Sequence, residues 1–200
     1  MIRAICFDLD GVYFLNGKEN FIFALRDLGI SEDNTKEIFL RSEKMGEYKL
    51  GKISDIAFWT WAARQWRLNK SPDELIKLLI SGYQVNLPAV EYIRRAKKIG
   101  YKALACTNNF PARILGLNDK FHFLNDFDCV VTSYEAKALK PERKIFERLV
   151  LKSQVLPHEI VMADDDDSKL KGARELGINT FLYKGFEEFV EYLARIGVEV

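Results

Sequence analysis

The 200-residue sequence is poor in the residues that build disulfide frameworks and histidine-based sites, with three cysteines and two histidines. Cys6, Cys106 and Cys129 each lie in an apolar, strand-like run without Cys-x-x-Cys spacing, which predicts buried thiols in a reducing compartment. His122 and His158 are isolated, and we expect both to be surface or capping residues. These features disfavour a disulfide-stabilised secreted fold and a histidine-rich metal centre.

The sequence also lacks a long apolar run and a charge imbalance. No stretch approaches the ~20 apolar residues that a membrane span needs, and a strand-like pattern stands where a secretory signal needs a long apolar region. The formal net charge of +1 gives no reason to expect nucleic acid or an anionic membrane as a partner. A serine-hydrolase elbow, a P-loop and a dinucleotide fingerprint are absent too. We therefore expect a cytoplasmic protein outside these classes.

A short apolar run, Ile2 to Phe7, stops at Asp8, Asp10 and Gly11. This pattern is typical of a buried parallel strand whose carboxyl end delivers side chains into a cleft. Residues two apart share one side of a strand, so Asp8 and Asp10 can point at one small volume. There the two carboxylates repel each other, and one must hold a proton or a cation must lie between them. By itself the segment is also compatible with a strand followed by an Asp-Gly turn.

Beyond residue 86, strand-like runs alternate with helical patterns. Strands are predicted at 101–106, 127–131, 159–163 and 178–183, and helices at 89–99, 111–117, 141–152, 168–176 and 186–196. The alternation predicts an α/β fold with a Rossmann-like parallel sheet that carries helices on both faces. Residues 1–15 and 87–200 would form this core.

Residues 16–86 carry four helical patterns and no strand signal, which predicts an all-helical cap domain inserted after the first strand. Ser71-Pro72-Asp73-Glu74 is a helix start with a capping box. Trp59, Trp61 and Trp66 could form a stacking platform for a ligand, but we expect them to pack the insert, because aromatic side chains usually bury area.

Polar residues follow the strands or occupy the next loops: Asp8 with Asp10, Thr107 with Asn108, Lys140, and the acidic run 164–167. Each has an ordinary structural explanation, such as helix capping or surface exposure. The acidic run is the hardest to explain in this way, because adjacent carboxylates repel and a helix dipole offers only ~0.3–1 kcal/mol per charge. A divalent cation would relieve the repulsion, and hard cations prefer oxygen ligands.

The order and spacing of these residues resemble the haloacid-dehalogenase-like (HAD) hydrolases over essentially the whole chain. Four motifs carry the resemblance: Asp8-Leu9-Asp10-Gly11-Val12, Thr107-Asn108-Asn109, Lys140-Pro141 and Asp164-Asp165. The helical insert is similar to the small C1-type cap of this superfamily. Gly51-Lys52-Ile53-Ser54 and Phe58-Trp59 resemble the branch that contains sugar-phosphate phosphatases and the phosphatase domain of epoxide hydrolases.

The resemblance implies a Mg²⁺-dependent phosphatase that hydrolyses a small phosphomonoester, such as a sugar phosphate. Asp8 would be the nucleophile and form an aspartyl-phosphate. Asp10 would protonate the leaving oxygen and then activate water, so it must be neutral in the first half of the reaction. The acid at Asp10 fits an oxygen leaving group, whereas the halide released by the dehalogenases of this superfamily needs no proton.

The same resemblance implies the binding roles. Thr107 and Asn108 would bind the phosphoryl group, and Lys140, also a catalytic residue, would neutralise its charge and hold Asp8. Mg²⁺ would be bound by Asp8, by the backbone carbonyl of Asp10, and by Asp164 or Asp165. The partner would be a small phosphorylated molecule, bound by a monomer or a homodimer.

Lys169 departs from the family, which usually has Asn or Asp at this position of its fourth motif. A fixed ammonium group there would repel a metal ion. Either Asp166, Asp167 or Ser168 substitutes for the missing residue, or Lys169 swings to solvent and pairs with the acids, or metal binding is weakened. Two alternatives to the phosphatase therefore stay open: a phosphosugar mutase, and a catalytically impaired relative that binds a phosphorylated ligand or a protein partner.

Overall fold

The computed structural model describes residues 1–200 and contains seven strands. They are β1 (Ala4–Phe7), β2 (Phe14–Leu15), β3 (Gln84–Val85), β4 (Lys102–Thr107), β5 (Cys129–Thr132), β6 (Ile160–Asp164) and β7 (Asn179–Leu182). Five of them form one parallel sheet in the order β5-β4-β1-β6-β7. The first long strand of the chain is therefore the central strand of the sheet.

Eleven α-helices surround or follow this sheet. Between β2 and β3 lie α1 (Gly17–Asp27), α2 (Glu32–Lys36), a π-helical turn (Glu37–Arg41), α3 (Glu43–Lys49), α4 (Asp55–Gln65) and α5 (Pro72–Ser81). After β3 come α6 (Leu87–Lys98), α7 (Pro111–Phe121), α8 (Ser133–Ala136), α9 (Arg143–Ser153), α10 (Lys171–Leu176) and α11 (Phe186–Arg195). Short 3₁₀ turns occupy Phe123–Asp126, Pro157–Glu159 and Asp167–Leu170. None of the helices is long and apolar enough to cross a bilayer.

The side chains of β1 alternate between two hydrophobic clusters, one on each face of the sheet. Ile5 and Phe7 share a cluster with α6 and α11, whereas Ala4 and Cys6 share the other with α9 and α10. This alternation follows from the pleat of a strand, which sends successive side chains to opposite faces. The predicted α/β sheet with helices on both faces is confirmed, and all three cysteines are free and buried, as predicted.

The insert differs from its prediction at one end. Gln84–Val85, inside the predicted 16–86 cap, forms β3 and pairs antiparallel with β2, so the chain enters and leaves the insert through a two-stranded stem. The prediction of an all-helical insert was wrong here because a strand of two residues is too short to show alternation. The capping box of Ser71 and Glu74 is confirmed.

The tryptophans pack the cap, as predicted. Trp59 and Trp66 are buried, and Trp61 is partly buried against the same cluster. The Phe21 ring meets those of Trp59 and Trp66 edge-on at centroid distances of 5.9 and 6.1 Å. The rings of Trp59 and Trp66 are therefore not available to stack on a ligand.

Two hydrogen bonds hold the end of α3 against the core. Ser133 Oγ donates to the carbonyl oxygen of Lys49 at 2.6 Å, and Lys137 Nζ donates to that of Gly51 at 3.1 Å. Because both acceptors are backbone groups, the contact fixes the course of the chain at residues 49–51. The Lys49 side chain is thereby positioned at the boundary between cap and core.

Candidate active site

The carboxyl ends of three neighbouring strands bring the predicted polar residues together. Asp8 follows β1, Thr107 ends β4 and Asp164 ends β6, and all three side chains are buried. Since β1 lies between β4 and β6, parallel pairing places these residues at one edge of the sheet. The sequence motifs thus form one site.

The loop after β1 presents unpaired backbone N–H groups beside Asp8. Gly11 has a φ of 79°, and a Cβ there would lie 2.5 Å from Asp165 Oδ2, so only glycine fits both the turn and the close approach. The N–H groups of Leu9 and Asp10 donate to no protein acceptor, and neither does that of Asn108 in the adjacent loop. Such groups form a natural binding place for an anion.

Lys140 is the buried cation of the site. Its Nζ donates to Asp164 Oδ2 at 2.6 Å and to the carbonyl oxygen of Cys106 at 2.8 Å. It also lies 2.8 Å from Asp8 Oδ1, as an ion pair without an aligned hydrogen bond, so this oxygen lacks a donor within the protein. Burial lowers the pKa of Lys140, but Asp8 and Asp164 outweigh it and raise the pKa above its ordinary value. The group is therefore always charged.

Asn108 and Thr107 differ in how far the protein already uses their side chains. Asn108 Nδ2 donates to the carbonyl oxygen of Lys140 at 3.0 Å, and Asn108 Oδ1 accepts from the Lys140 N–H at 2.8 Å. The Asn108 side chain thus positions Lys140, and only its backbone N–H is free for the predicted phosphate contact. The Thr107 hydroxyl accepts a long bond of 3.5 Å from Asn109 and donates to no protein group.

Three carboxylates meet at the predicted metal site. Asp8, Asp164 and Asp165 each place one oxygen within 4.8 Å of the others. Burial and the charge of Asp8 raise the pKa of Asp164 to about 6, although Lys140 and Lys169 act in the opposite direction. The remaining repulsion means that the cluster gains from a further cation, and its oxygen ligands are those that Mg²⁺ prefers. The residues present therefore fit a Mg²⁺ ion.

The rest of the acidic run is satisfied locally. Asp166 Oδ1 accepts bonds from the Ser168 N–H and hydroxyl at 3.0 and 2.6 Å, and Asp167 pairs with Arg174. Lys169 pairs with the acids: its Nζ lies 3.5 Å from Asp165 Oδ1 and 3.8 Å from both Asp164 Oδ1 and Asp166 Oδ2. Lys169 therefore pairs with the acids, as one of the three expectations has it, but its side chain lies within the cluster and is only 25% exposed, so it does not swing to solvent.

Arg113 is the main partner of Asp10, and sequence reasoning missed it. Its buried Nη2 lies 2.9 Å from Asp10 Oδ2, and its Nη1 donates to the Tyr83 hydroxyl at 2.9 Å. Tyr83 in turn donates to Asp10 Oδ1 at 3.0 Å, and Lys18 Nζ lies 3.2 Å from Oδ2.

These contacts change the expected charge of Asp10. Burial raises its pKa, but Arg113 and Lys18 outweigh burial and hold the pKa well below its usual range. In the unliganded protein these contacts favour the charged form of Asp10, and its proton in the first half of the reaction stays a prediction. The charged form is favoured because two cations and a hydroxyl donor face Asp10, while Asp8 is held by Lys140.

Lys49 completes a group of cations on the cap side. Burial, Arg113 and Lys18 together lower the pKa of Lys49 to about 7, and its ammonium forms no ion pair in the protein. A cavity of about 200 Å³ opens beside Asp10 and is also lined by Lys18 and Asp165. The space next to the carboxylates is therefore small and bordered by charges of both signs.

Comparisons with known proteins bear on the family and on the fold of this chain. A family model described as haloacid dehalogenase-like hydrolase matches residues 2–177. D-ribitol-5-phosphate phosphatase of Bacteroides thetaiotaomicron is 25% identical over 90% of this chain and 91% of its own length. The bifunctional epoxide hydrolase 2 of Sus scrofa is 22% identical over the whole chain, which spans 40% of that protein.

A solved structure extends the likeness to the fold. The crystal structure of a HAD family enzyme from Bacteroides thetaiotaomicron, in complex with magnesium and inorganic phosphate, matches with a TM-score of 0.82. The match covers 96% of this chain and 99% of the other at 22% identity. The arrangement of sheet and insert is thus shared over nearly the full length of both chains.

Proposed function

The chain belongs to the haloacid dehalogenase-like hydrolases, and on this premise we propose that it is a Mg²⁺-dependent phosphatase of a small phosphomonoester. The observation that carries the proposal is the surroundings of Asp8. The buried Asp8 carboxylate lies 2.8 Å from Lys140, and the neighbouring loops carry the free N–H groups of Leu9, Asp10 and Asn108, which suit the oxygens of a phosphoryl group. The cavity of about 200 Å³ suits a short polyol or sugar phosphate, in keeping with the relative that acts on D-ribitol 5-phosphate.

In the first step, an oxygen of Asp8 attacks phosphorus and the bond from phosphorus to the leaving oxygen breaks. Because Asp10 is ionised at rest, we propose that the substrate brings the proton as its monoanion and that Asp10 relays it to the leaving oxygen. Thr107 and the free N–H groups hold the phosphoryl oxygens, and Lys140 offsets their charge.

In the second step, water attacks phosphorus, Asp10 takes its proton and passes it to the departing phosphate, and the Asp8 carboxylate is regenerated. When bound, Mg²⁺ would be held by Asp8, Asp164 and Asp165 and would supply positive charge to the phosphoryl oxygens. The two steps together release one alcohol and one inorganic phosphate for each ester and water consumed.

Replacement of the nucleophile tests the proposal. We expect Asp8→Asn to lower the release of p-nitrophenol from p-nitrophenyl phosphate, in the presence of Mg²⁺, by at least about a thousandfold. The matched control is Asp167→Asn, which alters an exposed acid of the same run that pairs with Arg174 outside the site; it should keep its activity. Full turnover by Asp8→Asn would overturn the proposal.

One observation favours a second candidate, a protein that binds a phosphorylated ligand without turnover. Lys169 already gives the acidic cluster a positive charge, which weakens the case for a metal-dependent reaction. Under this alternative the wild-type protein binds inorganic phosphate in a calorimeter, yet releases no p-nitrophenol at any Mg²⁺ concentration. Turnover by the wild type that depends on Asp8 would exclude it.

A further inference from the structure

Lys169 places an ammonium group within the acidic cluster that fits a metal ion. Its Nζ lies 3.5 Å from Asp165 Oδ1 and 3.8 Å from Asp164 Oδ1. We propose that Lys169 is an internal counter-ion that competes with Mg²⁺ for these carboxylates, so that the chain exchanges the metal for its own ammonium group. The inference rests on the magnesium site of the proposed function but on no step of the reaction.

The oxygens of the cluster explain why the two cations compete. Asp164 Oδ2 is used by Lys140 at 2.6 Å, and Asp164 Oδ1 accepts the Asp166 N–H at 3.0 Å. The free side of Oδ1 and the nearer oxygen of Asp165 both face Lys169. A metal ion that joins these residues has to use oxygens that the lysine already neutralises, and two cations on the same oxygens repel each other.

Lys169 is able to leave the cluster, whereas Lys140 is not. The side chain of Lys169 is 25% exposed, while that of Lys140 is completely buried. Its backbone is fixed in the 3₁₀ turn, with the Lys169 N–H bonded to the carbonyl oxygen of Asp166 at 3.0 Å, so the side chain alone has to move. Lys140 is thus the permanent cation of the site and Lys169 the exchangeable one.

The competition is tested by direct measurement of metal binding. Lys169→Met removes the charge and keeps a side chain of similar length. We expect it to lower the Kd for Mg²⁺, measured by calorimetric titration with MgCl₂, by roughly tenfold or more. The matched control is Lys171→Met, because Lys171 is 76% exposed and pairs with Glu175 at 3.9 Å, away from the cluster. An unchanged Kd for Lys169→Met would overturn the proposal.

Thermal unfolding gives a second, independent readout. In EDTA, Lys169→Met should melt below the wild type, because its acids lose their counter-ion. Saturating Mg²⁺ should raise the Tm of the variant more than that of the wild type and close the gap. A lysine with a merely structural role would lower the Tm equally in both conditions, and that result refutes the proposal. Neither measurement depends on turnover, so a failure of the phosphatase assay leaves this test intact.

Discussion

Lys49 offers the sharpest test of the electrostatics of the site. Its pKa falls from the ordinary 10.5 to about 7 because the half-buried group loses hydration and lies near Arg113 and Lys18, while Asp10 offsets only part of this. A tenfold change in proton affinity is worth about 1.4 kcal/mol, so this fall corresponds to a destabilisation of at most roughly 5 kcal/mol. Since Lys49 is partly exposed and water screens it, we expect Lys49→Met to stabilise the protein at pH 7 by roughly 1–3 kcal/mol.

The pH dependence identifies the cause of that stabilisation. Between pH 7 and the pKa of an unfolded lysine near 10.4, the unfolded chain binds more protons than the folded chain, so the stability of the wild type rises with pH. The penalty is present in full below the folded pKa of about 7 and is lost as the pH rises toward the unfolded value. Lys49→Met should therefore remove the part of the rise in unfolding free energy with pH that comes from Lys49.

Urea unfolding in EDTA, followed by the fluorescence of the buried tryptophans, measures both effects at pH 7 and pH 10. Lys52→Met is the matched control, because Lys52 is exposed in the loop that follows α3. The reasoning is refuted if Lys49→Met is no more stable than the wild type at pH 7, or if the unfolding free energy of both proteins changes equally between pH 7 and pH 10. An unpaired cation that lowers the folding stability of a protein is typical of a residue that binds a ligand.

Two further substitutions test the surroundings of Asp10. Arg113→Met should destabilise the protein by roughly 3–5 kcal/mol in urea unfolding. It should also raise the pKa of Asp10, so that the acidic limb of the kcat/KM profile moves to higher pH. An unmoved limb would contradict the assignment of Arg113 as the main partner of Asp10. Gly17→Ala would place a Cβ 2.3 Å from the Tyr83 ring, so we expect a loss of roughly 1–3 kcal/mol together with lower activity. Gly46→Ala, in α3 with nothing within 4 Å of the added Cβ, should be neutral or stabilising, and equal losses for both alanines would show that the ring contact is irrelevant.

The strand ends could be found from the sequence because each combines a buried apolar run with an abrupt change to polar residues. Asp8, Thr107 and Asp164 stand at such changes, and parallel pairing leaves one edge of the sheet for all of them. Lys140 follows no strand directly: the polar pattern marks it only as a loop residue, and its role was assigned through the resemblance of its motif. Its burial between Asp8 and Asp164 depends on tertiary structure, which no local pattern encodes.

Arg113 and Lys49 escaped prediction for different reasons. Arg113 had a signal: it lies three residues after Phe110 and four before Leu117, on the apolar face of α7, where a charged residue needs a buried partner. Lys49 had none, since a lysine in Lys49-Leu50-Gly51 is typical of an exposed loop. Only the docking of the cap on Ser133 brings its side chain to the site.

The order of strands in the sheet has a consequence for synthesis on the ribosome. β1 is made before its two neighbours, since its partners β4 and β6 begin at Lys102 and Ile160. Until β6 emerges, the backbone of β1 lacks one of its two pairing strands, whereas the helices of the insert pack mainly on one another. The insert can therefore form most of its own contacts before the pairing of β1 is complete. The nucleophile is among the first residues to be made and among the last to be enclosed.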